Sequence, residues 1–269
     1  MSAAAAPAAI GIRGVDKVFG TPRGEVRALS GIDLDVRPGE FVTLFGPSGC
    51  GKSTLLRIIA GLEEQTAGEV LVHGTAPSVA SARKNIAWIP QSSALLPWLS
   101  IARNASLSTV VNRRADTRGR TDRTPEDADA LLAELGLGGF SGARPNELSG
   151  GMRQRTSIAR GFVQGAPLML MDEPFSALDE LTKDTLRLRL LDLWDRHRKT
   201  IVFVTHSAFE AVLLSDRVVV MTPRPGRIHG VVDIDLPRPR TRELTESRAF
   251  SDLVAEVKHT LQRGWEDEE

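Results

Sequence analysis

This sequence of 269 residues has no tyrosine, only one cysteine and no net charge. The 34 basic and 34 acidic residues create no net field toward nucleic acid or an anionic membrane, so we expect no nucleic-acid partner. Because Cys50 has no second cysteine to pair with, an internal disulfide is excluded, which fits a reducing compartment. No run of about 18 apolar residues is present, so any membrane role requires a partner protein.

Composition and local sequence pattern predict how the chain is divided into domains. Hydrophobic residues make up 41% of it, enough to fill the core of one large α/β domain. We predict a disordered, alanine-rich tail over residues 1–9, a main domain over 10–240 and a helical tail over 241–269. Within the main domain, residues from about 92 to 160 have the pattern of a helical subdomain.

The strongest pattern is GPSGCGKST, Gly46 to Thr54, which satisfies the G-x-x-x-x-G-K-[ST] motif of phosphate-binding loops. A short apolar run, Phe41 to Phe45, precedes it, and apolar residues at helical spacing follow it until Gly61. Strand, glycine-rich loop and helix is the context that such a loop requires. The alternative, a glycine-rich turn before an ordinary helix, leaves the motif's invariant positions unexplained.

The loop residues have predicted roles in holding a nucleotide. The glycines lack a Cβ, so the loop can turn its N–H groups inward beside the positive end of the following helix. Lys52 is expected to reach the β and γ phosphates, and Ser53 to offer its hydroxyl to Mg²⁺, which prefers oxygen ligands. The predicted nucleotide-binding residues of the loop are Gly46, Pro47, Ser48, Gly49, Cys50, Gly51, Lys52, Ser53 and Thr54.

Cys50 carries a further prediction. It lies close to Lys52 and to the start of a helix, and both features lower a thiol pKa. We therefore expect a reactive thiol whose labelling inactivates the protein and is blocked by bound nucleotide. The alternative is a buried cysteine with no part in binding.

Three polar residues follow predicted strands. An apolar run from Leu168 to Met171 is typical of a strand buried on both faces of a parallel sheet, and it ends in Asp172 and Glu173. Because such sheets bind ligands at the carboxyl ends of their strands, we expect Asp172 to act on Mg²⁺ and Glu173 to be the general base. His206, after the next strand, is expected to contact the γ-phosphate or to orient the attacking water. A purely structural histidine is the alternative.

The N-terminal segment has a different sequence pattern. Short strands and turns from Ile10 to Val36 predict an antiparallel sheet ahead of the nucleotide core. Phe19 lies at the end of the first of these strands. It either stacks on an adenine or packs in the core, and the residues leave both possibilities open.

The predicted insert contains three features. Leu95, Leu96, Pro97, Trp98 and Leu99 form an apolar cluster that is either internal to the insert or a docking surface. The basic loop from Arg113 to Arg123 is most simply a solvated surface. Ser149, Gly150 and Gly151 precede a helix and form a second potential anion site.

Taken in order, these motifs resemble those of the ATP-binding cassette (ABC) ATPases. The resemblance covers nearly the whole chain, and LSGG followed by a helix is its most specific part. The matching stretches are GPSGCGKST (Walker A), Gln91 (Q-loop), LSGGM at 148–152 (signature), LMLMDEP at 168–174 (Walker B), SALD at 176–179 (D-loop) and His206 (H-loop). LLPWLS, GGMRQR, DEPFSALDELT and RPGRI further resemble bacterial importers of nitrate, sulfonates and taurine.

The resemblance implies a fold and a dimer. The fold is α/β, a P-loop NTPase core with a mostly parallel sheet, an N-terminal antiparallel β-subdomain and a helical insert. ATPase subunits of this family act as a head-to-tail pair, so Ser149 to Gly151 of one copy would close on ATP bound at Lys52 of the other. Gln91 would sense Mg²⁺, and Asp179 would couple the two sites.

The resemblance also implies where the subunit works. The insert would dock on transmembrane permease subunits near Leu95 and Trp98, at the cytoplasmic face of the inner membrane, while a periplasmic or lipid-anchored binding protein delivers the solute. The expected function is ATP hydrolysis coupled to uptake of a small solute such as nitrate, a sulfonate or taurine. The alternative is an ABC ATPase of an exporter or one outside transport. A GTPase or kinase would leave LSGG unexplained, and the chain has no N-K-x-D motif.

Two positions depart from the family pattern. The aromatic residue that stacks on adenine is commonly tyrosine, which this chain lacks, so the role of Phe19 rests on its position. Ser207 follows His206 where many relatives carry an acidic residue. We expect this exchange to change the tuning of the histidine without removing its role.

Overall fold

The computed structural model describes residues 8–22, 24–117, 122–223 and 225–266, which form two sheets surrounded by helices. In these ranges the strands are β1 (Ile10–Thr21), β2 (Gly24–Val36), β3 (Phe41–Phe45), β4 (Ala67–Val72), β5 (Ile86–Ile89), β6 (Leu168–Asp172), β7 (Thr200–Thr205), β8 (Arg217–Met221) and β9 (Ile228–Asp233). The helices are α1 (Lys52–Ile59), α2 (Pro77–Ala82), α3 (Ile101–Ala105), α4 (Leu107–Val110), α5 (Arg113–Thr117), α6 (Ala128–Glu134), α7 (Gly150–Val163), α8 (Glu180–His197), α9 (Ala208–Leu214) and α10 (Arg248–Glu266).

The larger sheet has the strand order β5-β6-β7-β3-β8-β9, and all neighbours are parallel except β8 and β9. Every residue of β3, β6 and β7 is buried, and successive residues belong alternately to two core clusters on opposite faces. The predicted mostly parallel sheet is confirmed. Because β3, β6 and β7 run in the same direction, the residues that follow them meet at one carboxyl edge of the sheet.

The smaller sheet is antiparallel, with the order β2-β1-β4, as the N-terminal pattern predicts. β2 has 13 residues, and its pairing with β1 sets Phe19 opposite Val26. Register shifts interrupt this ladder and blur the alternation in the sequence. Order begins before Ile10, because the backbone N–H of Ala9 donates to the carbonyl of Val36 at 2.8 Å. Residues 1–7 of the predicted tail lie outside the described residues.

β9 and α2 are among the elements that have no counterpart in the sequence prediction. β9 lies antiparallel to β8 at one edge of the large sheet, within a segment after Thr222 whose prolines and arginines favour irregular structure. α2 has only six residues and begins with Pro77, so it is too short to display a helical period.

The insert contains α3 to α7, and α6 begins directly after Asp127, whose side chain accepts the Ala130 N–H at 2.8 Å. The prediction of a solvated basic loop is wrong for Arg123. Its buried guanidinium contacts Asp116 at 2.6 Å, and the same carboxylate accepts from buried Lys84 at 2.8 Å. One acidic residue within the basic run therefore forms ion pairs with two basic residues. The number of basic residues in the run does not reveal these pairs. Arg118 and Arg120 of that loop lie outside the described residues.

The C-terminal helix α10 lies within the predicted helical tail and is amphipathic, with Phe250 and Val257 buried. It packs against α9, where the rings of Phe209 and Phe250 meet edge to face with centroids 5.1 Å apart. In the described part of the chain, no helix combines the length and the apolarity needed to cross a membrane. Residues 267–269 lie outside that part.

Candidate functional site

The phosphate loop connects β3 to α1 at the carboxyl edge of the large sheet. Gly51, directly before α1, has φ of 97°, a left-handed conformation that favours glycine. A Cβ at this position would also lie 2.9 Å from the carbonyl oxygen of Ala28, so close approach to β2 excludes a side chain. The strand, loop and helix that the motif predicts are all present.

Lys52 lies deep in this loop, with 3% of its surface exposed. Its Nζ donates to the carbonyl oxygens of Gly46 and Pro47, each at 2.8 Å. A buried ammonium group requires such partners. Because both carbonyls belong to the loop itself, the charge is held against the backbone that would surround a phosphate.

Ser53 and Asp172 meet beside Lys52, although they belong to α1 and β6. Ser53 Oγ donates to Asp172 Oδ1 at 2.7 Å. Burial raises the pKa of Asp172 above its usual value, the Ser53 hydrogen bond opposes this rise, and the neighbouring carboxylate of Glu173 adds to it. A hydroxyl and a carboxylate side by side are the oxygen donors that Mg²⁺ prefers, and a nearby cation would favour the ionised carboxylate.

Glu173 and His206 form a second pair at the same edge, with Glu173 Oε2 and His206 Nδ1 3.3 Å apart. Glu173 has φ of 44°, and its backbone N–H donates to the Val204 carbonyl at 3.0 Å. A left-handed conformation is strained for a residue with a Cβ, and such strain is concentrated at functional sites. The bond to β7 holds Glu173 in this conformation, next to the histidine.

A cleft of about 500 Å³, which we call the phosphate-loop cleft, collects most of the predicted residues. Phe19 faces this cleft and is absent from the core clusters of the described residues, and Lys17 Nζ lies 4.7 Å from its ring centroid. Gln91 also lines the cleft, with Nε2 3.4 Å from Ser176 Oγ. The lining residues are Phe19, Thr21, Val26, Ala28, Ser48, Gly49, Gly51, Lys52, Ser53, Thr54, Gln91 and Glu173.

The prediction of a reactive Cys50 thiol is wrong. Cys50 is 1% exposed and its side chain belongs to the core cluster beneath the loop. Burial raises the pKa of the thiol, and this outweighs the lowering effect of Lys52. Sequence position alone cannot tell which side of the loop a residue faces, and this side chain faces the core.

Ser149, Gly150 and Gly151 form a second, separate region, which we call the signature edge. Ser149 caps α7, and its Oγ accepts the N–H of Met152 at 3.2 Å. A Cβ on Gly151 would lie 2.9 Å from Thr182 Cγ2, so the start of α7 packs closely against the start of α8. Ser149 and Gly150 are exposed, and the described lining of the phosphate-loop cleft includes none of the three residues.

Some residues of the site are missed by the sequence prediction. Thr21, Val26 and Ala28 line the cleft beside Phe19. The alternation of Val26 and Ala28 along β2, opposite Phe19, is the signal that could have found two of them. Arg187 and Glu210 form a buried ion pair close to His206, and their separation in the sequence conceals it.

Comparison with known proteins agrees with this geometry. The family model described as ABC transporter matches residues 29–176. An uncharacterised ABC transporter ATP-binding protein of Methanocaldococcus jannaschii is 44% identical over 91% of this chain and 90% of its own length. The aliphatic sulfonates import ATP-binding protein SsuB of Bacillus cereus is 38% identical over 95% of this chain and 96% of its own length.

A solved structure is also similar. The dimeric structure of a bacterial ABC transporter cassette has a TM-score of 0.71 and 28% sequence identity, covering 85% of this chain and 100% of that chain. A post-hydrolysis state of the same cassette, bound to ADP and Pi, has the same TM-score and 29% identity. Family match, relatives and fold agree with the phosphate-loop cleft and the LSGG motif, and the chain therefore belongs to the ABC transporter ATPases.

Proposed function

We propose that this ABC ATPase is the energising subunit of an importer, in which two copies couple ATP binding and hydrolysis to uptake of a small solute through separate membrane subunits. The phosphate-loop cleft is the observation that carries the proposal, because Lys52, Ser53 and Glu173 line it. Asp172 is bonded to Ser53 and His206 contacts Glu173, so both lie directly beside the cleft. In this site Lys52 binds the β and γ phosphates of ATP, and the ring of Phe19 stacks on adenine.

The donor set at Ser53 and Asp172 fits Mg²⁺. When bound, the ion would neutralise charge on the phosphate oxygens during transfer. Ser53 would supply a direct oxygen ligand, and Asp172 would act through water. Gln91 would sense the ion and link it to the insert. Among the described residues no group of three His, Cys, Asp or Glu side chains is able to hold a metal, so phosphate and water oxygens would complete the coordination.

Glu173 is the proposed general base. It takes a proton from the water that attacks the γ-phosphate in line, and ADP leaves with the terminal bridging oxygen. His206 Nδ1 already contacts Glu173, so Nε2 is the ring atom that would face a γ-phosphate oxygen. The fixed backbone of Glu173 supports this role, because a base must be held within reach of its proton before reaction.

The signature edge is proposed to act on the ATP of a second copy. It combines an exposed serine and glycine with the N-terminus of a helix of 14 residues, which attracts anions. In a head-to-tail pair, Ser149 to Gly151 would close on the γ-phosphate held at Lys52 of the other copy. The dimeric cassette of similar fold supports this arrangement.

A permease is proposed to dock at Trp98, whose side chain is 66% exposed, and at half-buried Leu95. The backbone of the segment is held in place, because the buried Asn104 amide donates to the carbonyl oxygens of Leu96 and Leu99 at 3.1 Å each. Arg160 of α7 donates to the carbonyls of residues 93 and 94 at 3.0 and 2.9 Å. Trp98 is an exposed aromatic on a fixed segment that is hydrogen-bonded to α7. Such a residue suits a contact through which closure of the dimer moves the permease.

The proposed cargo is a small solute of the nitrate, sulfonate and taurine class. Likeness to a sulfonate import subunit over 95% of the chain supports this class. A periplasmic or lipid-anchored binding protein would select the solute, and the subunit would work at the cytoplasmic face of the inner membrane. The alternative is an ABC ATPase of an exporter or one outside transport.

Uptake measurements test the proposal. Deleting the gene should abolish ATP-dependent uptake of one such solute, the intact gene should restore uptake, and the Lys52→Ala form should not. Intracellular accumulation of a compound in the deletion strain, with normal uptake of all three solutes, would instead support the exporter.

A further inference from the structure

A buried ion pair lies directly behind the turn that carries His206. Arg187 of α8 and Glu210 of α9 are only 3% and 5% exposed. Arg187 donates to Glu210 Oε1 twice, from Nη2 at 2.9 Å and from Nε at 3.2 Å. Because burial removes both charges from water, the remaining donors and acceptors of the pair must also be hydrogen-bonded for the pair to be stable in the core.

The other oxygen of Glu210 reaches the His206 turn itself. Thr205, the residue before the histidine, donates its hydroxyl to Glu210 Oε2 at 2.6 Å. The same Thr205 oxygen accepts the backbone N–H of Ser207, the residue after the histidine, at 3.0 Å. Ser207 Oγ in turn accepts the backbone N–H of Glu210 at 3.3 Å. One carboxylate therefore organises both neighbours of His206.

Arg187 holds that carboxylate from a different helix. Its remaining nitrogen, Nη1, donates to Glu180 at 2.9 Å and to Asp184 at 2.7 Å, both on α8. The guanidinium carbon lies 5.3 Å from the ring centroid of Phe209, next to Glu210 on α9. The position of the His206 turn is thus tied to α8.

We propose that Arg187 and Glu210 are positioning residues for hydrolysis, which hold the His206 turn so that Nδ1 stays against Glu173. The inference rests on the proposed role of the Glu173–His206 pair. The His206 side chain is itself mostly exposed, so core packing cannot fix it, whereas the hydrogen-bonded residues on each side can. Misplacement of a catalytic group by about 1 Å reduces rate by about 100-fold without affecting the groups that bind substrate.

The test is steady-state ATP hydrolysis by full-length Glu210→Gln. The substitution keeps the shape of the side chain but removes the charge that accepts from both Arg187 and Thr205. We expect kcat to fall by about 10- to 100-fold while KM for ATP changes by less than about 2-fold. Combined with His206→Ala, Glu210→Gln should cause no further loss of kcat, because its effect is exerted through the histidine.

Two further variants separate positioning from general stability. Arg187→Lys retains the charge but loses the forked contact. Its kcat should therefore lie between that of the wild type and that of Arg187→Met. Arg196→Met is the matched control on the same helix, because its exposed pair with Glu134 at 2.6 Å joins α8 to α6 and does not involve α9. It should leave kcat unchanged. Circular dichroism and ATP binding identify variants that fail to fold.

The outcomes are distinguishable. Equal losses of kcat from Glu210→Gln in the wild-type and His206→Ala backgrounds would overturn the positioning role and leave a structural one. Wild-type kcat in a folded Glu210→Gln protein would overturn it as well. If His206→Ala alone hydrolyses ATP normally, the proposed role of the histidine fails, whatever the Glu210 variants do.

Discussion

The phosphate-loop cleft of one copy and the signature edge of another are proposed to bind the same ATP molecule, yet they are built in opposite ways. In the cleft, Lys52, Ser53 and Asp172 are held by hydrogen bonds from three different elements and lie largely out of solvent. At the signature edge, Ser149 and Gly150 are exposed at the start of α7. The first site is organised within one copy, whereas the second is proposed to act only against another copy. Binding and hydrolysis therefore respond to different substitutions.

Glu173→Gln gives the largest expected effect and separates binding from chemistry within the cleft. The amide cannot accept the proton of the attacking water, so hydrolysis should slow by about 10² to 10⁴-fold while ATP affinity is retained. Phosphate release under saturating ATP measures the first quantity, and calorimetric titration with ATP the second. Glu256→Gln, an exposed change on α10, is the control. Normal turnover by Glu173→Gln would assign the base elsewhere, with His206 the first candidate.

Lys52→Ala tests whether the cleft binds ATP without the signature edge. Loss of one charge-assisted contact worth about 1.5 to 3 kcal/mol should weaken binding by about 10- to 100-fold. Lys199→Ala is a useful control, because Lys199 is also a buried lysine bonded to a backbone carbonyl, at 3.3 Å from Ala166 O, but lies away from the cleft. Equal ATP affinity of the two variants would contradict the assignment of Lys52.

Trp98→Ala tests the segment that α7 holds through Arg160. Burial of a large aromatic at an interface contributes about 2 kcal/mol, so association with the permease should weaken by about 30-fold. The isolated subunit should keep its melting temperature and ATP affinity because the side chain is exposed. Trp265→Ala removes another exposed tryptophan, on α10, as the control. An unfolded Trp98→Ala protein, or one that assembles normally, would disprove docking at this residue.

Cys50 offers the smallest effect. Because burial raises its pKa, less thiolate is present near neutral pH than for a free cysteine, and access is blocked as well. Native protein should react with iodoacetamide far more slowly than urea-unfolded protein, and MgATP should change the slow rate by less than about 2-fold. Rapid labelling that MgATP prevents would restore the sequence-based expectation and place the thiol at the phosphates.

The sequence predicts the cleft well, because the phosphate loop is local and the strands before Asp172 and His206 are continuous apolar runs. It predicts poorly what depends on residues far apart along the chain. Arg187 and Glu210 carry no motif of their own, and their pairing exists only because α8 and α9 pack together. The predictions for Cys50 and Arg123 fail for a different reason, because each depends on which way a side chain faces: Cys50 faces the core, and Arg123 contacts nearby Asp116.

The most direct test of the division between the two regions is the molecular mass of Glu173→Gln in solution, measured by light scattering with and without MgATP. With ATP, we predict twice the 29.2 kDa of the chain, because hydrolysis no longer separates the copies. Adding Gly150→Asp, where the nearest atom to a new Cβ is a side-chain nitrogen of Arg153 at 3.9 Å, should return the mass to that of one copy while each copy still binds ATP. A dimer that survives Gly150→Asp, or a single copy of Glu173→Gln at saturating ATP, would contradict the account.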